Sequence, residues 1–286
     1  MTMVEKIRRW LSGPAAVLII MLAFGPSASA QTPEEPQVFN LPQLEEAANA
    51  NDTSAQFQLG LLHLSGAEGL TANAEEAAKW FQKAADLGLV EAIYNLGLLY
   101  VEGKGVPQDD VAAAGLFRQA ADQGYVNAQY NLGLMYHMGR GVPLDYQLAA
   151  EWYTKAANQN YAEAQIALGR MYETSQGVAR DDAEAANWFR KAAETGDSRA
   201  QYYLGTKYEK GLGVNQDAAE AARWFKMSAD QGQPRAQLAL ADCYYQGQGV
   251  PRNYPEAARL YEAAAASGLE QARISLDRMR NEGLLK

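Results

Sequence analysis

Cysteine is nearly absent from this chain, and positive charge is in deficit. Cys243 is the single cysteine among 286 residues, so no intrachain disulfide can form and hydrophobic contacts must hold the fold. The 25 lysines and arginines are outnumbered by 34 aspartates and glutamates, which gives a net charge of −9. Because nucleic acids and anionic lipids bind through lysine and arginine, we expect neither as a partner.

The alternating valine, isoleucine and threonine runs that mark β-strands are also scarce. Alanine, leucine, tyrosine, glutamine and glutamate are abundant instead. At 286 residues the chain exceeds a typical single globular core. The sequence therefore predicts an all-α protein, built either as two domains or as one elongated array.

Residues 1–30 have the pattern of a secretory signal peptide. A basic start precedes an apolar run from Ala15 to Phe24 and the small-residue triplet Ala28-Ser29-Ala30. The run is too short for a membrane span of roughly 20 residues, although an uncleaved anchor is the alternative. We expect cleavage before Gln31, with residues 31–40 as a flexible leader. The mature protein would then be periplasmic, or alternatively secreted or envelope-associated, with no membrane insertion after signal cleavage.

A period of 36 residues runs through the rest of the chain. Leucine followed by glycine, or an equivalent pair, recurs with one extra residue in the first interval, at Leu59-Gly60, Leu96-Gly97, Leu132-Gly133, Leu168-Gly169, Leu204-Gly205, Leu240-Ala241 and Leu276-Asp277. Alanine lies four residues before each leucine and tyrosine usually four after it, so the three share one helix face. We expect the glycine, which lacks a side chain, to let a neighbouring helix approach this face closely.

A turn and a second helix complete each unit. The run Gly-x-Gly-Val-Pro supplies a left-handed cap and then a proline that bars continuation of the first helix. Short polar residues suited to N-caps open the second helix at Asn73, Asp109, Asp145, Asp181, Asp217 and Asn253. This helix carries a bulky pair, such as Trp80-Phe81, and ends at glycine or, once, at Asn160. Asparagine fits there because it tolerates the left-handed region.

Taken together, these motifs resemble the Sel-1-like repeat family, a relative of the tetratricopeptide repeat. The resemblance implies a right-handed α-solenoid of about six 36-residue helix-turn-helix repeats with half-repeat caps. We place an N-terminal capping helix at 41–52, six repeats at 53–269, and a C-terminal capping helix and tail at 270–286. Members of the family are adaptor scaffolds in export, signalling, envelope assembly and host contact. A protein or peptide partner, and no cofactor, is therefore implied.

The side chains give little support for catalysis or metal binding. His63 and His137 occupy different positions in their units, and Cys243 falls in a mostly apolar column, which favours packing. No serine has a lysine three residues later, as the Ser-x-x-Lys arrangement of serine β-lactamases requires. Acidic pairs such as Asp109-Asp110 are explained by an N-cap and a first-turn carboxylate. We predict no enzyme, no cofactor and no metal site.

Two columns of the first helix, two and five residues after its leucine, point away from the packing face. Apart from His137 they are apolar in the first three units, and they are mostly polar or charged in the last three. From them we take the candidate protein-binding residues Leu61, Leu64, Leu98, Val101, Leu134, His137, Arg170, Glu173 and Glu209. If first helices line a concave wall, as the resemblance implies, the apolar half would grip a peptide or helix and the charges would orient it. Alternatively, the N-terminal segment or tighter coiling covers the apolar half.

A third column, two residues after the alanine, is bulky in every unit and comprises Phe57, Tyr94, Tyr130, Ile166, Tyr202 and Leu238. Since it never turns polar, inter-repeat packing is the expected role, with a tyrosine ladder for ligand stacking as the alternative. The sequence thus favours an exported, monomeric interaction scaffold that regulates an envelope signalling or assembly complex. An envelope hydrolase acting on β-lactams or peptidoglycan, and a secreted binder of host proteins, are the alternatives.

Overall fold

A computed structural model describes residues 40–67 and 70–285, and within these ranges the protein contains fourteen α-helices and no strand. The predicted signal peptide and nearly all of the predicted leader lie outside the described residues. The helices are α1 (Leu41–Asn49), α2 (Thr53–Ser65), α3 (Ala74–Asp86), α4 (Val90–Glu102), α5 (Asp110–Asp122), α6 (Val126–Met138), α7 (Tyr146–Asn158), α8 (Ala162–Thr174), α9 (Asp182–Glu194), α10 (Ser198–Lys210), α11 (Ala218–Asp230), α12 (Pro234–Gln246), α13 (Tyr254–Ala266) and α14 (Glu270–Asn281).

Helices α2 to α13 form six consecutive pairs, and we call the first helix of each pair the A helix and the second the B helix. The chain divides into two compact units. One runs up to Ala128 and includes Arg140–Val142, and the other comprises Gln129–Gly139 and Pro143–Lys286. In the described part of the chain, no helix is both long and apolar enough to cross a membrane.

The predicted caps are confirmed at both ends of the loop between the A and B helices. The A helices end in left-handed residues, such as Gly103 at φ 64°, and Ser175 takes this conformation without being glycine. Each predicted N-cap accepts a hydrogen bond from the first turn of its B helix, as Asp145 Oδ1 does from the Leu148 N–H at 2.9 Å. Asn160 is also left-handed, at φ 62°. Local capping therefore sets the helix boundaries.

The glycine beside the leucine, which every A helix except α12 contains, admits an aromatic ring. A Cβ placed at Gly205 would lie 2.5 Å from Cε1 of Phe225, and one at Gly169 would lie 2.6 Å from Cε1 of Phe189. The prediction that a neighbouring helix approaches this face closely is confirmed, and the group that takes most of the space is an aromatic ring. The missing side chain makes room for the ring of the B helix in the same repeat.

The second glycine of each Gly-x-Gly turn joins consecutive repeats. Gly213 has φ 76°, and a Cβ there would overlap the carbonyl group of Asp182 in the preceding B helix. Gly105 approaches the carbonyl group of Ala74 in the same way. Sequence reasoning gave this turn only a capping role. The turn also brings backbone against backbone between repeats, where any side chain would collide.

A buried glutamine near the start of several A helices closes the end of the preceding helix. The Gln165 side chain donates to the carbonyl oxygen of Ala157 at 3.1 Å, and Gln56 donates to that of Ala48 at 3.0 Å. Each bond satisfies a carbonyl in a last helical turn, which has no partner within its own helix. Ala48 belongs to α1. This helix therefore contacts the first repeat through the same kind of hydrogen bond that links a B helix to the next repeat.

Candidate functional site

In the first unit, the candidate binding residues are only partly accessible. Leu61, Leu64 and Leu98 are half-buried. Val101 is only 3% exposed. The inclusion of Val101 in a binding surface is therefore corrected, because neighbouring atoms already cover its side chain.

Of the two candidates in α6, Leu134 is half-buried, and His137 packs against its own repeat. The His137 ring lies edge-on to Tyr146, with ring centroids 5.1 Å apart. Its Nδ1 is buried and has no hydrogen-bond partner. Burial lowers the pKa of His137, and the positive charge of Arg170 lowers it further. A neutral, packed histidine is therefore the form that this site stabilises.

The charged candidates differ in whether the protein already pairs them. Arg170 and Glu209 are exposed, whereas Glu173 is half-buried and forms an ion pair with Lys207 at 2.7 Å. Lys207 is 1% exposed and also contacts Asp182 at 2.9 Å. This lysine stands in a column that the sequence predicts to be apolar packing. Two carboxylates make its burial possible, because an unpaired ammonium would be costly in the interior.

A cleft of about 330 Å³ opens in the second unit between the A helices α10 and α12. Its lining includes Thr206, Glu209 and Asp242, which belong to the two columns that point away from the packing face. Tyr202 and Leu238 supply apolar surface. In this pair of repeats, the variable columns therefore do meet at one solvent-accessible surface.

Carboxylates in this cleft are harder to ionise than usual. Burial raises the pKa of Glu209, and the Asp242 charge raises it further, while Lys210 lowers it. Burial also raises the pKa of Asp242, against the hydrogen bond that the Tyr261 hydroxyl donates to it. The two acids line the same cleft, and the Asp242 charge makes ionisation of Glu209 less favourable.

Basic groups also line this cleft, and sequence reasoning did not include them. Arg235 and Lys210 contribute to the lining. Asp242 was likewise not a candidate, although it shares a column with Arg170 and could have been found from that register. No periodic signal marks Arg235, which lies at the start of α12.

The bulky third column makes packing contacts. Tyr94 has its ring centroid 5.6 Å from that of Phe117 in its own repeat. It also lies 5.0 Å from Tyr125, just before the next A helix. Both contacts lie within repeat 90–125, so they show packing inside one repeat, and the expected packing between repeats stays a prediction for this column. At α10 and α12, however, Tyr202 and Leu238 also line the cleft, so packing is not their whole role.

Cys243 is a packing residue, as predicted. It is 6% exposed, and burial raises the pKa of its thiol to about 12, with Glu209 and Asp242 adding to the shift. A thiol that stays protonated is a poor nucleophile. Within residues 40–67 and 70–285, no group of three or more histidine, cysteine or acidic side chains could hold a metal ion.

Comparison with known proteins identifies the repeat. The Sel1 repeat model matches residues 53–89, 90–125, 126–161, 162–197, 198–233 and 234–269. A protective antigen of uropathogenic Escherichia coli with an SLR fold is 39% identical, with a TM-score of 0.83 over 86% of this chain and 52% of that one. This chain thus spans about half the length of that antigen.

A Sel1 repeat protein from Oxalobacter formigenes is 31% identical, with a TM-score of 0.66 over 80% of this chain and 97% of that one. No curated protein matches the chain. The family is one of non-enzymatic scaffolds that bind proteins, with a solenoid-like helical repeat fold. With six matching repeats and two such structural relatives, this chain belongs to the Sel1 repeat family.

Proposed function

We propose that this chain is an exported adaptor that holds a protein or peptide on the side chains of its A helices. The observation that carries the proposal is that some columns of the A helix keep the same residue type in every repeat, whereas another column changes its chemistry along the chain. The alanine and leucine columns are buried throughout, whereas a column that opens into the cleft changes from leucine to Arg170, Thr206 and Asp242. Repeats that share one backbone and differ in exposed chemistry suit recognition of an extended partner.

Two observations support the proposed envelope role, one from residues 1–30 and one from a relative. The basic, apolar and small-residue pattern of residues 1–30 is that of a secretory signal. The similar E. coli protein is a protective antigen, which favours a location outside the cytoplasm for this chain too. We place the protein in the periplasm, where it would regulate a signalling or assembly complex. A secreted binder of host proteins is the second candidate, on the strength of the same relative.

The hydrolase alternative has weaker support from the side chains. The Nδ1 atoms of His63 and His137 are buried without a hydrogen-bond partner, so among the described residues no carboxylate orients either ring through this atom, as one would in a catalytic triad. Burial keeps the Cys243 thiol protonated. These observations favour binding over chemistry.

A pull-down with matched charge variants tests the adaptor proposal. The full chain, with its own leader and a C-terminal affinity tag, would be expressed in a bacterial host and cross-linked in the envelope. We expect Arg170→Glu with Arg235→Glu, both on A helices, to lose the captured protein, because these exposed charges face the partner. The control, Arg223→Glu with Arg259→Glu on B helices, makes the same charge change and should retain it.

Two results would contradict this adaptor proposal. Equal capture by both double variants would move the binding surface away from the A helices. Hydrolysis of a β-lactam or of peptidoglycan by the purified chain would support the enzyme instead. Fractionation of the same cells separates the periplasmic protein from a secreted one.

A further inference from the structure

Equivalent carboxylates one repeat apart have different partners in the second unit. Glu173 on α8 is neutralised by Lys207, which reaches it from the buried side at 2.7 Å. One period later, Glu209 occupies the position of Glu173, and Cys243 occupies the position of Lys207. The chain itself therefore shows that an ammonium group fits beside this carboxylate, and that the next repeat lacks one.

Two acids at the cleft have no ion-pair partner within the described part of the chain, although Asp242 accepts a hydrogen bond from Tyr261. Among the described residues, neither Glu209 nor Asp242 forms an ion pair, although Lys210 and Arg235 line the same space. Both carboxylates act on the thiol of Cys243, whose pKa they raise after burial has done so. Both acids line the same cleft, and Cys243, on whose thiol their charges act, has the register position of Lys207 in the preceding repeat.

We propose that the cleft between α10 and α12 receives a lysine or arginine side chain of the partner. This inference rests on the proposed adaptor function and names one contact within it. The aliphatic stem would lie on Tyr202 and Leu238, and the cationic head would pair with Glu209 and Asp242.

The other charged residues of the cleft restrict which residue types can stand beside the bound basic side chain of the partner. Lys210 and Arg235 would repel a second basic side chain next to the first, and they could pair with an acidic neighbour. The occupant is therefore an extended segment in which a basic residue adjoins an acidic one. A strongly basic segment would fit poorly.

NMR titration of the purified chain tests the site without knowledge of the partner. The probe is Nα-acetyl-lysine methylamide, and its uncharged counterpart is Nα-acetyl-norleucine methylamide. We expect the lysine probe to shift the amides of Glu209, Asp242 and Leu238 in a saturable way, with the norleucine probe giving no such shifts. In Glu209→Gln with Asp242→Asn, the dissociation constant should rise at least about tenfold, because a charge-assisted pair is lost.

A second variant supplies the cation from within the chain. Cys243→Lys should place an ammonium beside Glu209, as Lys207 is placed beside Glu173, and so reduce binding of the lysine probe. Its thermal midpoint should fall further when Glu209→Gln and Asp242→Asn are added, because the new ammonium then lacks partners. If the change in thermal midpoint caused by Cys243→Lys and the change caused by Glu209→Gln with Asp242→Asn are simply additive, the two acids do not reach the new ammonium.

The remaining outcomes decide against the site. An absence of saturable shifts up to about 50 mM probe, the weak end of single-contact affinity, would overturn it. Stronger shifts with Nα-acetyl-glutamate methylamide would assign the cleft to a carboxylate through Lys210 and Arg235. If the envelope pull-down still depends on Arg170 and Arg235, the adaptor function stands while this contact fails.

Discussion

A single residue, Lys207, departs most clearly from what its column predicts. Its counterparts in the other repeats are leucine, methionine or cysteine, and all belong to a packing column. Burying an unpaired ammonium costs several kcal/mol, which pairing with Glu173 and Asp182 offsets. A charge in an apolar column therefore indicates a neighbour of opposite sign one repeat away.

This ion pair should make stability depend on pH. The hydrogen bond from Lys207, with a smaller one from Arg180, lowers the pKa of Asp182. Its stabilisation is complete above the ordinary aspartate pKa of about 3.9 and is lost as the pH falls below that value toward the lowered pKa. We expect urea unfolding between about pH 5 and pH 2 to show a larger stability loss in the wild type than in Lys207→Met.

The matched control for this pH series is Lys191→Met. Lys191 is exposed on α9 and lies 3.8 Å from the centroid of the Trp188 ring. Its removal leaves the Lys207 ion pair intact, so its pH profile should run parallel to that of the wild type. If Lys207→Met also ran parallel to the wild type, the ion pair would contribute nothing to folding.

At the level of the helix pair, an aromatic ring of the B helix packs on a glycine of the A helix in the first five repeats. The B-helix aromatics Phe189 and Phe225 are fully buried against the glycines of their A helices. Glycine within a helix costs about 1 kcal/mol relative to alanine. The packing of a large ring in the space it leaves outweighs this cost.

Alanine substitution separates the helix-propensity cost of glycine from the space that glycine leaves for the ring. In Gly205→Ala the new methyl group would lie 2.5 Å from the Phe225 ring, so we expect a loss of about 1–3 kcal/mol in the unfolding free energy. Gly115 in α5 has no neighbouring atom within 4 Å of such a Cβ, and Gly115→Ala should stabilise by up to about 1 kcal/mol. Chemical denaturation measures both, and equal effects would show that the ring does not set the requirement.

At the scale of the whole molecule, tandem repeats depend on neighbours, and the last repeat depends on α14. Met279 and Ala272 on this helix are fully buried, whereas Ile274 is 53% exposed. Since stability in such arrays is roughly a sum over repeats and their interfaces, damage to an end helix should act locally.

Hydrogen exchange on two variants of α14 tests this locality. Met279→Asp places a charge in the core between α13 and α14, so amide exchange in those helices should accelerate well before that of α8 and α9. Ile274→Asp changes an exposed position of the same helix and should leave exchange near the wild-type pattern. Uniform acceleration across the second unit would indicate that its repeats unfold as one block.

The repeat period, the helix boundaries and the packing columns could be predicted from the sequence alone. These features depend on local chemistry: a residue such as Asp145 caps its own helix, and alanine and leucine four residues apart share a face. Only the tertiary structure decided that Val101 is covered, that Lys207 pairs inside the protein and that Glu209 does not. The carboxylates that pair with Lys207 lie 25 and 34 positions before it along the chain, and the repeat pattern alone does not show which side chains come into contact.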